Sequence, residues 1–271
     1  SYIKKMLRNY TEYKYDVETS TILNVAARKG NIDIIKLLLN IKKIDVNIKS
    51  TKLYKKKYQT FDNYYLPIKE ERTVLHEAVE SGYSEVVQLL LNNKTFDVNS
   101  ALIKTMYENV LSTANICYLK KKEKILLHLA IEKGYIEIIK LLLSNPTIDI
   151  NMKSKSEIRK SGGCICYCRS LKTRELSSLF YAIENGNINV IEFLLTQPNI
   201  DVNFGLKEYL FNHEVKGEIV QEKVPLYLAV ENQNLEIVQL LIKQPNIVHE
   251  ITALELAREK PNLEIRHLLS K

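Results

Sequence analysis

The chain lacks the features that would place it among membrane, secreted or enzymatic proteins. Its 271 residues contain no run of about 18 apolar residues that could span a bilayer, and no signal-peptide pattern. The 4 cysteines are too few and too crowded for the disulfide framework of a secreted domain. The 8 glycines form no phosphate-binding loop or nucleophile elbow, and no paired acid motif is present. We therefore expect a non-enzymatic cytoplasmic protein, and the first residue, Ser1, suggests a fragment of a longer chain.

A pattern of two short amphipathic segments recurs along the chain, and residues 73–99 show it most clearly. Apolar residues from Val74 to Val79 fall on one helical stripe, Gly82 follows it, and a second stripe runs from Val86 to Leu91. Two helices of this length cannot bury their apolar faces alone, so the unit needs stacked copies of itself. The pattern predicts a solenoid of helix–turn–helix units.

Six copies of the unit occur. They begin at Thr21, Thr73, Ile125, Ser177, Val224 and Thr252, so the first three steps are each 52 residues and the last two are 47 and 28. The unit resembles the ankyrin repeat, whose period is about 33 residues. The residues that carry the resemblance are Thr73, Leu75, His76, Ala78, Gly82, Glu85, Val86, Val87, Leu89, Leu90, Leu91, Asp97, Val98 and Asn99.

The resemblance implies an all-α fold, in which about six ankyrin repeats form a single domain over residues 1–271. Residues 1–20 are expected to form a helical N-terminal cap. In the last copy, Arg266 and Ser270 replace apolar residues of earlier copies, which predicts a C-terminal cap. Gln233 and Pro261 replace the glycine of the unit, which predicts distorted helix ends in the last two copies.

Four long connections separate the repeats, and we call them fingers. They comprise residues 48–72, 100–124, 152–176 and 204–223, and the first three exceed the usual connection by about 19 residues. The first three carry net charges of +4, +3 and +5, the fourth −1, and the whole chain +7. Apolar residues at intervals of three and four from Leu102 to Leu111 predict a short helix in the second finger.

The basic and tyrosine-rich composition of the fingers predicts an interaction scaffold. Such a surface attracts an acidic protein partner, bound through the fingers and the concave helix face. Two alternatives remain open: direct binding of a polyanion (nucleic acid, a phosphoinositide or an acidic cytoskeletal polymer), and a purely structural role in which the fingers pack on each other. The candidate partner-binding residues are Tyr54, Lys55, Lys56, Lys57, Tyr58, Phe61, Tyr64, Tyr65, Lys120, Lys121, Lys122, Arg169, Lys172 and Arg174.

The cysteines and histidines form weaker candidate sites. Cys164, Cys166 and Cys168 lie together in the third finger, and Cys117 lies at nearly the corresponding position of the second. Four thiolates on neighbouring fingers could hold zinc. The spacing is not the usual Cys-x-x-Cys, however, so we favour reduced thiols and expect no cofactor.

The histidines of the repeats, His76 and His128, occupy the T-P-L-H position of the ankyrin motif. The resemblance implies that they join neighbouring backbones rather than catalyse a reaction.

Overall fold

A computed structural model describes residues 17–41, 44–57, 65–93, 95–110, 116–161, 170–211, 216–248 and 251–269. These residues contain twelve helices, two in each repeat. They are α1 (Ile22–Arg28), α2 (Ile32–Leu39), α3 (Val74–Ser81), α4 (Ser84–Leu91), α5 (Leu126–Lys133), α6 (Ile136–Leu143), α7 (Ser178–Asn185), α8 (Ile188–Leu195), α9 (Pro225–Glu231), α10 (Leu235–Ile242), α11 (Ile251–Glu259) and α12 (Leu263–Leu269).

Local signals in the sequence set where the helices begin and end. The Ser177 hydroxyl accepts a hydrogen bond from the Phe180 amide at the start of α7, and Asn187 does the same for Val190 at the start of α8. Such side chains satisfy amides that have no partner inside the helix. Gly82 follows α3 with a φ of 78°, the left-handed conformation that stops a helix at little cost in glycine. The two helices of a unit therefore fold back on each other.

The core runs along the array between two rows of helices. The odd-numbered helices stack on one another from α1 to α11, and even-numbered helices form the second row, with α4 on α6 and α8 on α10. Leu75, Ile139 and Leu194 are among the apolar residues that are fully buried between the rows. Each repeat buries its apolar stripes only against its neighbours, as a solenoid requires.

The fingers are β-hairpins, so the expectation of an all-α fold is wrong. Among the described residues, nine strands form one antiparallel sheet in chain order. They are β1 (Val17–Thr19), β2 (Ser50–Lys57), β3 (Tyr65–Arg72), β4 (Leu102–Val110), β5 (Ile116–Lys124), β6 (Ser154–Ser161), β7 (Ser170–Leu176), β8 (Leu206–Phe211) and β9 (Lys216–Lys223). The chain is therefore a mixed structure of stacked helices and a single sheet.

The sheet is continuous because the spacing of the repeats matches the spacing of strands. Stacked helices lie about 8–10 Å apart, and two strand intervals of about 4.8 Å span nearly the same distance. Each of the first four repeats is followed by one two-stranded finger, so the second strand of one finger falls beside the first strand of the next. β3 pairs with β4, β5 with β6, and β7 with β8.

The second finger contains strands where its apolar pattern predicted a helix. Leu102, Met106 and Val110 are four residues apart, a spacing that suits one face of a helix and equally one face of a strand. β4 pairs with β3 on one side and β5 on the other, and these pairings make the segment a strand instead of a helix. Val17–Thr19 is likewise extended and pairs with β2. Residues 1–16, on which the expected helical cap depends, lie outside the described residues.

A row of asparagines links successive repeats at the turns that precede the fingers. The Asn151 side chain donates to the carbonyl oxygen of Asn199 at 2.7 Å and accepts from the amide of Asp201 at 2.8 Å. Asn47 and Asn203 make the same two hydrogen bonds to the following repeat. In these three repeats the asparagine that ends the unit therefore bonds to the corresponding turn of the next one.

Candidate functional site

Strand pairing assigns each finger residue to one of two faces of the sheet, because paired residues share a face and successive residues alternate. One face adjoins the odd-numbered helices, since Arg72, Lys124 and Lys223 form ion pairs with Glu80, Glu132 and Glu231 of those helices. We call this the helix-side face and the opposite one the outer face.

Charge is distributed unequally between the two faces. On the outer face, the described side chains balance, with five cations and five carboxylates; on the helix-side face nine cations stand against three carboxylates. The outer-face residues are Lys69, Lys121, Lys155, Arg159, Lys207, Glu71, Glu123, Glu157, Glu175 and Glu222. The helix-side residues are Lys52, Arg72, Lys104, Lys120, Lys122, Lys124, Lys172, Arg174, Lys223, Glu70, Glu208 and Glu218. The excess positive charge of the described finger strands therefore lies on the helix-side face.

Glu70 organises the first part of the helix-side face. Its carboxylate accepts hydrogen bonds from Tyr54 at 2.5 Å and Arg72 at 2.7 Å, and Lys104 of the next finger lies 2.7 Å away. Burial raises the pKa of the Glu70 carboxyl, but the hydrogen bonds from Lys104, Tyr54 and Arg72 outweigh it and lower the pKa to about 2. Glu70 is thus a fixed negative charge that joins two fingers.

Glu208 has the same role near the other end of the sheet. Its carboxylate is 7% exposed and lies 2.7 Å from both Lys172 and Arg174 of the preceding finger. Glu70 neutralises cations of β3 and β4, and Glu208 neutralises cations of β7. Between them, Lys104 of β4 and Lys122 of β5 lie directly opposite each other, and like charges in that position are unfavourable.

Apolar side chains lie beside these central lysines. In the adjacent row across the sheet, Met106 and Ile158 flank Lys120 and are half-buried. Lys122, in the same strand as Lys120, is exposed. A ligand that carries both carboxylates and apolar groups would complement the lysines and the apolar side chains together.

A polar pocket of about 250 Å³ opens where the first finger meets the helices. Glu77, only 4% exposed, closes its floor through an ion pair with Arg28 at 3.0 Å. The Ser50 hydroxyl also reaches the Glu77 carboxylate, at 3.3 Å. Because Arg28 and Ser50 both bond to the Glu77 carboxylate, these side chains join the first two repeats.

The structure brings five of the candidate partner-binding residues together on the helix-side face: Tyr54, Lys120, Lys122, Lys172 and Arg174. Lys121 lies on the outer face and pairs with Glu123. Lys55, Lys56, Lys57 and Tyr65 form backbone pairs between β2 and β3, and their side chains lie outside the description. Tyr58, Phe61, Tyr64 and Arg169 lie outside the described residues.

Sequence reasoning missed Lys52, Lys104, Glu70, Met106 and Ile158. The sequence pattern pointed to lysines in runs and to clustered tyrosines. These five residues join them on the helix-side face only because their strands pair. The two-residue period of a strand, which puts Lys121 on the opposite face from Lys120 and Lys122, was a signal that could have separated the two faces.

Three of the four candidate zinc ligands, Cys164, Cys166 and Cys168, also lie outside the described residues. Cys117 belongs to β5, where its backbone pairs with Asn109 and Ser161. Among the residues that are described, no group of three or more His, Cys, Asp or Glu side chains is arranged as a metal site.

The repeat histidines are buried and bonded to their surroundings. The Thr73 amide donates to His76 Nδ1 at 3.2 Å, and His128 Nε2 lies 3.0 Å from the Ser178 hydroxyl of the next repeat. Burial lowers the pKa of both imidazoles to about 3, with Arg72 acting in the same direction on His76 and Lys124 on His128. Both rings are therefore neutral at physiological pH.

Comparison with known families identifies the repeat. The family model "Ankyrin repeats (3 copies)" matches the chain over residues 3–154, 121–205 and 179–271. A search of curated proteins finds no match. Within the described residues, no helix is long and apolar enough to cross a membrane.

Proposed function

Because the chain belongs to the ankyrin-repeat family, which generally mediates protein–protein interaction, we propose that it is a non-enzymatic scaffold that binds an acidic protein surface through the helix-side face of its finger sheet. The observation that carries the proposal is the separation of charge between the faces: among the described side chains of the finger strands, nine cations stand against three carboxylates on the helix-side face and five against five on the outer face. Folding of the fingers alone requires no such separation.

The centre of the proposed contact is the group formed by Lys104, Lys120, Lys122, Met106 and Ile158. It lies midway along the sheet and combines positive charge with half-buried apolar side chains. Protein interfaces typically bury apolar residues at the centre and use charged residues to steer and orient the partner.

A protein partner suits this surface better than a polyanion does. The carboxylates of Glu70 and Glu208 lie among the cations, so an unbroken row of phosphates would meet a carboxylate at two places. Nucleic-acid affinity depends mainly on phosphate neutralisation, which the paired cations Lys172 and Arg174 offer only in part because Glu208 already neutralises them.

The test compares two neighbouring lysines on opposite faces of β5. Lys122→Glu changes the helix-side face and Lys121→Glu applies the same charge change to the outer face. Each variant and the unaltered chain are immobilised, and the proteins that they capture from a cell lysate are identified at about 50 and 200 mM salt. Thermal unfolding of each variant is the control for folding. We expect one partner to be lost with Lys122→Glu and kept with Lys121→Glu.

The proposal is wrong if both variants keep the same partners. Capture of nucleic acid that disappears at the higher salt concentration and with Lys122→Glu would establish the polyanion alternative instead.

A further inference from the structure

The sheet stops where a finger is missing. Fingers join each of the first four repeats to the next, but α10 of the fifth repeat is followed after a short connection by α11, and the described residues between them contain no strand. β9 pairs with β8 on one side, and no described strand pairs with its other side. The absent finger would occupy two strand intervals, a gap of about 10 Å beside β9.

Exposure along β9 differs from that of the equivalent strands. Ile68 and Glu70 in β3 are 2% and 5% exposed and Thr173 in β7 is 4% exposed, since the following finger covers each of them. In β9, by contrast, Ile219 is 48% exposed. Glu218, Gln221 and Glu222 are also exposed. The edge of β9 thus presents a row of backbone groups together with uncovered side chains.

A charge ladder on the outer face shows what chemistry is missing at this edge. Lys155 lies between Glu123 and Glu175, and Lys207 lies between Glu175 and Glu222. Lysine and glutamate therefore alternate across five strands. Glu222 ends the row with Lys207 at 2.8 Å on one side and an open edge on the other.

We propose that the free edge of β9 binds an extended basic segment of a protein partner, which adds a tenth antiparallel strand and places a lysine or arginine opposite Glu222. Backbone hydrogen bonds along the edge supply affinity, and alternate side chains supply selectivity. Glu218 favours a basic segment on the helix-side face as well. This site is separate from the central lysines of the helix-side face and does not depend on what binds there.

The probe is a synthetic peptide with the sequence of residues 153–161, KSKSEIRKS. In the chain this sequence forms the outgoing strand whose Lys155 lies opposite Glu123, the counterpart of Glu222 in the second finger. Binding of the fluorescently labelled peptide to the full chain is measured by anisotropy. We expect Glu222→Gln to weaken binding about threefold, the effect of one cross-strand charge pair.

The matched control is Glu71→Gln. Glu71 holds the same row of the ladder in the first finger, but strands cover both of its sides. This substitution is expected to leave peptide affinity unchanged, although the net charge of the chain changes equally. Equal weakening by both substitutions would mean that the peptide responds only to overall charge, and would overturn the proposal.

A second peptide distinguishes strand pairing from electrostatic attraction. It carries proline in place of Ser156 and Ile158, which keeps the charge but removes backbone donors. We expect this peptide not to bind, and we expect the first one to slow amide hydrogen exchange in residues 216–223. Equal binding of the two peptides, failure of the first peptide to bind, or protection elsewhere in the sheet instead of residues 216–223 would overturn the proposal.

Discussion

Gln233 adopts a backbone conformation that glycine holds in the four preceding repeats. Its φ is 54°, against 69° for Gly186 at the equivalent position of the fourth repeat. The distorted helix end that the loss of glycine predicted is therefore absent in the fifth repeat, because the residue accepts the left-handed conformation. A side chain raises the free energy of that conformation by about 1 kcal/mol, so the fold imposes local strain here.

Gln233→Gly should raise the free energy of unfolding by roughly 1 kcal/mol, since glycine relieves this strain. The reciprocal substitution Gly186→Gln should lower it by a similar amount, because a Cβ at Gly186 meets no atom within 4 Å and only the backbone conformation is strained. Urea unfolding of both variants measures the two changes. Opposite signs are expected, and the same sign in both would refute the argument.

The buried histidines make the repeats sensitive to acid. The pKa of His128 falls to about 3 in the folded chain, against 6.5 for an exposed histidine. Neutral histidine is favoured by folding, so the stability it contributes is present above pH 6.5 and is lost as the pH falls towards 3. The loss is at most about 1.4 kcal/mol per pH unit for each such histidine.

His128→Gln should therefore reduce the loss of stability between pH 7 and pH 5. The urea midpoint at the two pH values gives the measurement, and the exposed His267→Gln is the control that should keep the full loss. An unchanged pH dependence in His128→Gln would show that this imidazole does not couple folding to pH.

At the scale of elements, the hydrogen bonds between turns and the pairing between fingers align one repeat with the next. Asn151 makes two short hydrogen bonds to the following turn, whereas Asn99 makes one at 3.4 Å. Glu70 and Glu208 tie the sheet together at the corresponding level of the fingers. Neighbouring units are thus joined at their turns and through their fingers, as well as through their apolar helices.

Asn151→Ala should cost about 1 kcal/mol of stability, because two net hydrogen bonds are lost from a partly solvated site. Asn99→Ala should cost clearly less, since its single bond is long and weak. Thermal unfolding of the pair tests the order. A larger loss in Asn99→Ala would mean that these asparagines act through something other than their links to the next repeat.

At the scale of the whole molecule, the sheet and the rows of helices are two continuous structures that run side by side along the array. Removing one finger affects the sheet according to its position. The second finger pairs on both sides, with β3 and with β6, while the fourth pairs with β7 and has no described strand on its other side. The position of a finger therefore determines how much strand pairing it contributes to the sheet.

Replacing residues 102–124 by a short turn should lower the urea midpoint more than replacing residues 206–223 does. The first deletion divides the sheet in two and removes Lys104 from Glu70, whereas the second shortens the sheet at its end. Circular dichroism at a helical wavelength follows the repeats in both variants. Equal midpoints in the two variants would show that pairing on both sides stabilises the array no more than pairing on one side.

The amino-acid sequence by itself determined the repeat and its family. The apolar stripes of residues 74–91 depend on neighbours within four positions, so a helix–turn–helix unit such as α3 and α4 can be read from local spacing. The ankyrin resemblance was confirmed by the family model. The count of charges in the fingers also needed no structure.

Only the tertiary structure decided that the fingers form one sheet and which face carries the positive charge. A strand is defined by partners in another finger, as Lys120 in β5 is by Ile158 in β6, and no local pattern records that pairing. Lys121 and Lys122 are adjacent in sequence, yet Lys121 lies on the outer face and Lys122 on the helix-side face. The physical reason is that strand alternation has a period of two, so register, set by distant pairing, fixes the face of every side chain at once.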